Sequence, residues 1–129
     1  MFAFIKRKLF SDSAALARWG EKRAEKFLKK QGLSTITRNY LCRTGELDLV
    51  MAAPDGTVVF VEVKTRTALD FSQPEDAVNS SKQHKSSRAA QDFLSTYKIE
   101  NRPCRFDVVA IALDRQGRET VKHYKNAFA

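Results

Sequence analysis

The sequence predicts an α/β domain, a mixed β-sheet flanked by helices in the order αβββαββ. Three observations carry this expectation. Two stretches, one after Ser11 and one after Ser80, place apolar residues at helical spacing. The segment Thr57–Thr65 begins apolar on both alternating faces, as suits a central strand covered on both sides. The long helical connection between residues 65 and 104 implies a crossover that sets two strands parallel. With 129 residues the chain forms one domain, 1–129, long enough to bury its own core.

Residues 1–10 are expected to form a loose basic arm or short helix. They run from apolar to basic, the reverse of a secretory signal. Ser11, Asp12 and Ser13 offer N-caps for a helix to about Gln31, with Gly32 as its stop. Leu16, Gly20, Ala24, Phe27 and Leu28 fall on its core face, while Lys22, Lys26 and Lys29 line another. Strands follow at Ser34–Cys42 and Gly45–Ala52, then the turn signal Pro54-Asp55-Gly56 and the strand Thr57–Thr65. Residues 67–79 read as irregular, with a turn at Pro74. Ser80 or Ser81 caps a second helix to about Tyr97, with Ala90, Phe93, Leu94 and Tyr97 as its core stripe. Trp19 and Tyr40 are also expected in the core. Strands at Phe106–Leu113 and Thr120–Tyr124, joined by a turn at Asp114–Gly117, complete the sheet.

Hydrophobic residues at 43% and charged residues at 29% exclude collagen-like and low-complexity chains. The net charge of +8 points to a polyanion such as nucleic acid, or to an anionic membrane surface. No apolar run approaches the roughly 20 residues of a membrane span. The charge is segregated. Residues 1–43 carry 11 basic and 3 acidic groups, residues 44–81 carry 2 and 7, and residues 82–129 carry 10 and 5. An acidic centre thus lies between basic flanks, which suits carboxylates for a cation within a surface that attracts phosphate, or ordinary surface variation. Cys42 and Cys104 make no disulfide framework and, with His84 and His123, show no zinc spacing. Free thiols in a reducing cytoplasm are expected.

Glu46, Asp48, Glu62 and Lys64 are the informative residues. On a strand, Glu46 and Asp48 share one face, and Glu62 and Lys64 share one face. A three-residue loop with Gly56 left-handed pairs Ala53 with Thr57, so Asp48 falls opposite Glu62 and Glu46 opposite Lys64. A two-residue loop would set Asp48 on the face of Val59, Val61 and Val63, a poor place for charge. Opposed carboxylates, with Cβ atoms about 4.5–5.5 Å apart, repel. A divalent cation with oxygen ligands is the natural compensation. The bland alternative is a solvated hairpin face, but Val50, Val58 and Phe60 share it. Glu21 stands at the edge of the buried stripe of the first helix. It either joins the carboxylates, accepts a backbone hydrogen bond or pairs with Arg18 or Lys22.

Gly20-Glu21, Gly45-Glu46-Leu47-Asp48, Phe60-Val61-Glu62-Val63-Lys64-Thr65-Arg66 and Arg105-Phe106-Asp107-Val108-Val109 resemble the YraN family of small bacterial proteins. The likeness spans nearly the whole chain from residue 20. That family resembles restriction-endonuclease-like nucleases, in particular archaeal Holliday junction resolvases. The resemblance implies a restriction-endonuclease-like core and a metal-dependent phosphodiesterase site, with roles falling on Glu21, Asp48, Glu62 and Lys64. This chain lacks the Pro that the wider pattern places before Asp48, and Glu46 is an extra acid.

The chemistry fits those parts. Mg²⁺ or Mn²⁺ held by Asp48, Glu62 and the Val63 carbonyl, with Glu46 near, would supply Lewis acidity. Lys64 would orient water or steady transition-state charge. Arg66, Lys82, Lys85 and Arg88 are candidate contacts to nucleic-acid phosphates, and Gln83 a supporting hydrogen-bond partner; a solvated basic face is the alternative for the helix residues. Asp107 reads as structural, paired with Arg105 or Arg43. The function expected is a metal-dependent DNA nuclease for structured or branched substrates, its rivals a nucleic-acid-binding module without turnover and an interaction protein with a basic surface. Cutting both strands would suit a two-fold homodimer.

Overall fold

A computed structural model describes residues 9–67 and 80–128. The elements are α1 (Ser13–Lys30), β1 (Ser34–Cys42), β2 (Gly45–Ala52), β3 (Val58–Thr67), α2 (Ser80–Thr96), β4 (Cys104–Leu113) and β5 (Glu119–Phe128). This is the expected αβββαββ order. Most of the anticipated basic arm, the turn at Pro74 and the side chains of Ser80, Ser81 and Lys82 lie outside the described residues.

Local chemistry sets the ends of α1. The Asp12 carboxylate accepts the Ala15 N–H at 3.1 Å, a cap worth about 1 kcal/mol. At the other end the Leu33 N–H closes back onto the Leu28 carbonyl at 3.2 Å. Lys29 and Lys30 occupy the last turn, where cations oppose the helix dipole favourably.

The five strands form one sheet in the order β1-β2-β3-β4-β5. Every neighbouring pair is antiparallel except β3 and β4, which run parallel from Val58↔Cys104 to Thr67↔Leu113. The helical connection through α2 makes that parallel pair possible. Both sheet faces are covered. Ala24 and Leu28 of α1 pack on Leu49, Met51, Val59, Val61, Val109 and Ile111. Ala89, Ala90 and Phe93 of α2 pack on Val50, Val58 and Phe60. Each fully buried large apolar side chain contributes about 1.5–3 kcal/mol. The two-faced apolar start of β3 therefore reads correctly as a central strand. Among the described residues, no helix is long and apolar enough to cross a membrane.

Two details correct the sequence reading. Tyr97 is not core: α2 ends at Thr96, and the Tyr97 ring stacks on Phe93 at 4.5 Å with half its surface exposed. The last strand is also longer than the expected Thr120–Tyr124, pairing as far as Phe106↔Phe128. Asp107, which is fully buried, helps explain that length. It accepts from Arg105 Nε at 3.0 Å, lies 2.7 Å from His123 Nε2 and accepts the Asn126 N–H at 3.0 Å. One carboxylate on β4 thus holds three points, two of them on β5. The expected Arg105 partner is present, and His123 and Asn126 join it.

Candidate functional site

The hairpin register is the one the turn predicts. The Ala53 N–H donates to the Thr57 carbonyl at 2.9 Å, and Gly56 takes φ +92°, which only glycine adopts without strain. The pairs Ala52↔Val58, Met51↔Val59, Val50↔Phe60 and Leu49↔Val61 follow. Hydrogen-bonded pairs alternate along an antiparallel ladder. Counting from Ala53/Thr57, the next such pair after Leu49/Val61 would join Val63 to Leu47. There the ladder changes. The Val63 N–H donates to Asp48 Oδ2 at 2.8 Å instead. An aspartate side chain has replaced a backbone acceptor at the point where the regular β2–β3 pairing ends.

The faces change at the same place. Leu49 and Met51 point to the α1 side and Val50 to the α2 side, yet Leu47 also packs on the α2 side. Residues 47 and 50 cannot share a face of a regular strand. The switch lies at Asp48, beside Asn39 of β1, which has φ +49°. Across it, Arg38 reaches Glu25 on α1 while Tyr40 packs on Phe93 of α2. This corrects the simple alternation. With Leu47 on the α2 side, Glu46 falls on the α1 side, not with Val50 and Phe60, and the Asp48 carboxylate meets the Val63 N–H of β3.

Helix α1 supplies the remaining carboxylate. Gly20 lets the helix sit against β3: a Cβ there would stand 1.9 Å from Thr65 Oγ1. The next residue, Glu21, lies between two clefts. One, of about 410 Å³, includes Arg18, Lys22, Asn39 and Asp48 in its lining. The other, of about 250 Å³, includes Ala17, Val63, Lys64 and Arg66. Burial pushes the Glu21 carboxyl above its ordinary range, and the charges of Glu46 and Glu62 add to that, against an opposing hydrogen bond with Asn39. Glu21 thus feels the charge of two other acids at the gap. Glu62 is itself buried and lies 3.3 Å from the Lys64 ammonium, which is also largely enclosed.

The fold therefore brings Glu21, Glu46, Asp48, Glu62, Val63, Lys64 and Arg66 to one end of the sheet. Arg66 lies within β3, not after it, and its guanidinium donates to the Thr65 carbonyl at 3.0 Å. Gln83, Lys85 and Arg88 line neither cleft. Lys85 and Arg88 are exposed on α2, whose backbone meets Gly45 at the Lys85 carbonyl. Asn39 is the residue that sequence reasoning missed. Its signal was available: asparagine is depleted inside strands and tolerates left-handed backbone.

Among the described residues, no three Asp, Glu, His or Cys side chains converge closely enough to enclose an ion alone. The donors near the gap are hard oxygens: the carboxylates of Asp48 and Glu62 and the backbone carbonyl of Val63. Such an open set suits a cation that keeps several waters, as Mg²⁺ does, better than a softer metal.

The Glu21 shift has a testable sign. Its folded pKa lies above the unfolded value, so ionised Glu21 costs stability at neutral pH, and the cost vanishes as pH falls below the unfolded value. Glu21→Gln in EDTA is expected to raise the melting temperature by roughly 2–4 °C at pH 7, on the scale of a like-charge contact. The gain should disappear near pH 4. A drop at pH 7 would mean that Glu21 is not repelled there.

An α/β domain with a mixed five-stranded sheet, helices on both faces and acids clustered where two strands part is consistent with a restriction-endonuclease-like fold. Residues 20–111 match the family described as "Uncharacterised protein family UPF0102". A UPF0102 protein of Bifidobacterium longum is 44% identical over 111 residues, covering 84% of this chain and 89% of that one. One of Desulforamulus reducens is 40% identical over 115 residues, covering 88% and 94%. One of Cupriavidus pinatubonensis is 46% identical over 105 residues, covering 81% and 82%. The chain belongs to the UPF0102 (YraN-like) family.

Proposed function

We propose that this protein is a divalent-cation-dependent nuclease that hydrolyses phosphodiester bonds in DNA. The observation that carries the reading is the hydrogen bond from the Val63 N–H to Asp48, which holds a carboxylate across from the Glu62–Lys64 pair where β2 leaves β3. Asp48 and Glu62, with the Val63 carbonyl, would hold Mg²⁺ or Mn²⁺. Such a cation would supply charge neutralisation and Lewis acidity. Lys64, kept in place by Glu62, offers a fixed positive charge for a phosphate whose charge grows in the transition state. Glu21, with its raised pKa, is suited to hold or release a proton beside the gap. Arg66 opens onto the same cleft and is placed to meet a neighbouring phosphate. We place the activity in the cytoplasm, with two copies related by a two-fold axis where both strands are cut. The open donor set supports a second reading, a nucleic-acid-binding module without turnover, which would bind DNA but leave it intact.

The cation is tested without any substrate. Mn²⁺ at a hundredfold excess over its Kd should stabilise the wild type by about 2.7 kcal/mol, because it binds only the folded site. Asp48→Asn keeps an oxygen for the Val63 N–H but loses the charge, so it should gain much less. Thermal melts in EDTA and in Mn²⁺ compare the two. Equal responses would remove the shared cation, and with it the hydrolytic reading.

A further inference from the structure

The outward face of α1 carries Arg18, Lys22, Lys26, Lys29 and Lys30, all exposed, while the opposite face buries Gly20, Ala24 and Leu28. Arg18, Lys22, Lys26 and Lys30 follow one another at i, i+4, so they form a continuous stripe. Among the described residues, none of these four has an acidic group within 4 Å. The acid beside the stripe, Glu25, is already engaged: Arg38 holds it at 2.7 Å and Lys29 at 3.6 Å. The stripe is therefore net positive along its length. It is also continuous with the candidate site. Lys22 and Glu25 line both the groove beside Lys26 and Lys30 and the cleft that contains Glu21 and Asp48.

We infer that this face of α1 is a track for the phosphates of one nucleic-acid strand, running from Lys30 past Lys26 and Lys22 to Arg18 and delivering the strand to Asp48. The inference rests on the proposed nucleic-acid reading and gives it a direction and a surface. Dimensions agree. From residue 18 to residue 30 a helix advances about 18 Å. A duplex strand carries one phosphate per roughly 3.4 Å of axis, so the stripe spans about five of them. The row winds gradually around the helix, about 40° at each i, i+4 step, and its long side chains suit a repeating charge better than one fixed ligand. Lys85 and Arg88 on α2 do not line the cleft that Arg18 and Lys22 share with Asp48, so the stripe on α1 is the surface that leads into it.

The test is the salt dependence of binding. A fluorescein-labelled 20-base-pair duplex is titrated with full-length protein in EDTA, from low to physiological salt. Lys26→Ala/Lys29→Ala/Lys30→Ala, all remote from the carboxylates, should flatten the slope of log K against log salt by about 0.9 for each phosphate no longer neutralised, about 2–3 in all. Binding at low salt should weaken at least tenfold. The same three positions changed to arginine should keep the wild-type slope, which separates missing charge from a damaged fold. Lys85→Ala/Arg88→Ala should flatten it less. A wild-type slope in the triple alanine variant, with the wild type still binding, would overturn the α1 track and leave the nucleic-acid reading standing. No binding by the wild type at low salt would overturn both. Should the triple alanine variant lose affinity for anionic vesicles but keep it for the duplex, the stripe would be a lipid surface and the inference would be wrong.

Discussion

Lys64→Ala is expected to slow phosphodiester cleavage by about a hundred- to a thousandfold, the cost of removing one preorganised group that stabilises transition-state charge. Lys64 is largely enclosed, and an enclosed ammonium persists only with a partner. Glu62 is that partner, two residues away on the same strand and 3.3 Å distant. The pair is therefore held rather than waving in solvent, and a fixed charge acts at the reaction without reorganising. The loss should fall on kcat more than on KM, since the interaction strengthens as charge develops. In EDTA the variant leaves Glu62 without its ammonium and should melt lower. In Mn²⁺ much of that deficit should return, because the cation offers Glu62 another positive neighbour. Single-turnover cleavage and melts of the same preparation measure both. A wild-type rate in Lys64→Ala would remove the lysine from the chemistry.

The largest effect on stability is expected one strand over, at Asp107, which pairs with Val61 beside Glu62. Its side chain is wholly buried and receives Arg105, His123 and the Asn126 N–H. Burial alone would push its pKa up, but hydrogen bonds from His123, from the Asn126 backbone and from Arg105 outweigh it and hold the carboxyl below its ordinary range. Asp107→Ala strands a guanidinium, a ring nitrogen and a backbone donor together. Breaking a buried pair in this way costs about 3–5 kcal/mol, a large part of the 5–15 kcal/mol typical of a whole domain. The pH dependence has a fixed sign. A carboxyl with a lowered folded pKa contributes stability above its unfolded value, near 4, and loses it as pH falls through the folded value. The wild type should therefore lose stability below about pH 4, and Asp107→Ala should lack that part of the loss. Urea unfolding at pH 7 and pH 3 decides it. A change under 1 kcal/mol at pH 7 would mean that β5 is held by its ladder alone.

Different parts of the molecule were legible to different degrees. The parallel β3–β4 pair followed from chain length, since a connection that long and helical leaves no other short path. The hairpin register followed from three residues, Pro54, Asp55 and Gly56, because loop length fixes pairing. The same logic then failed at Asp48. Period-two alternation assumes an unbroken ladder, and nothing in the pattern of residues 45–52 shows a side chain taking the place of a backbone carbonyl. Asn39 was the trace of that event, visible as a poor strand former opposite Asp48. His123 could not be found either: it meets Asp107 through a cross-strand pairing that no local spacing reports. The lysines of α1 were visible as a face, but only the packing of α1 on β3 shows that they run into the cleft with Asp48.

The central claim is that the acids at the end of β2 and β3 carry cation-dependent hydrolysis. Its most direct test is cleavage of end-labelled linear, nicked and four-way-junction DNA by wild type and Glu62→Gln, side by side, in Mg²⁺, Mn²⁺ and EDTA. The prediction is that the wild type cuts at least one substrate with either cation and none in EDTA, while Glu62→Gln, folded by its melting curve, cuts none. Cleavage that persists in EDTA, equal cleavage by Glu62→Gln, or no cleavage by the wild type on any substrate would contradict the claim.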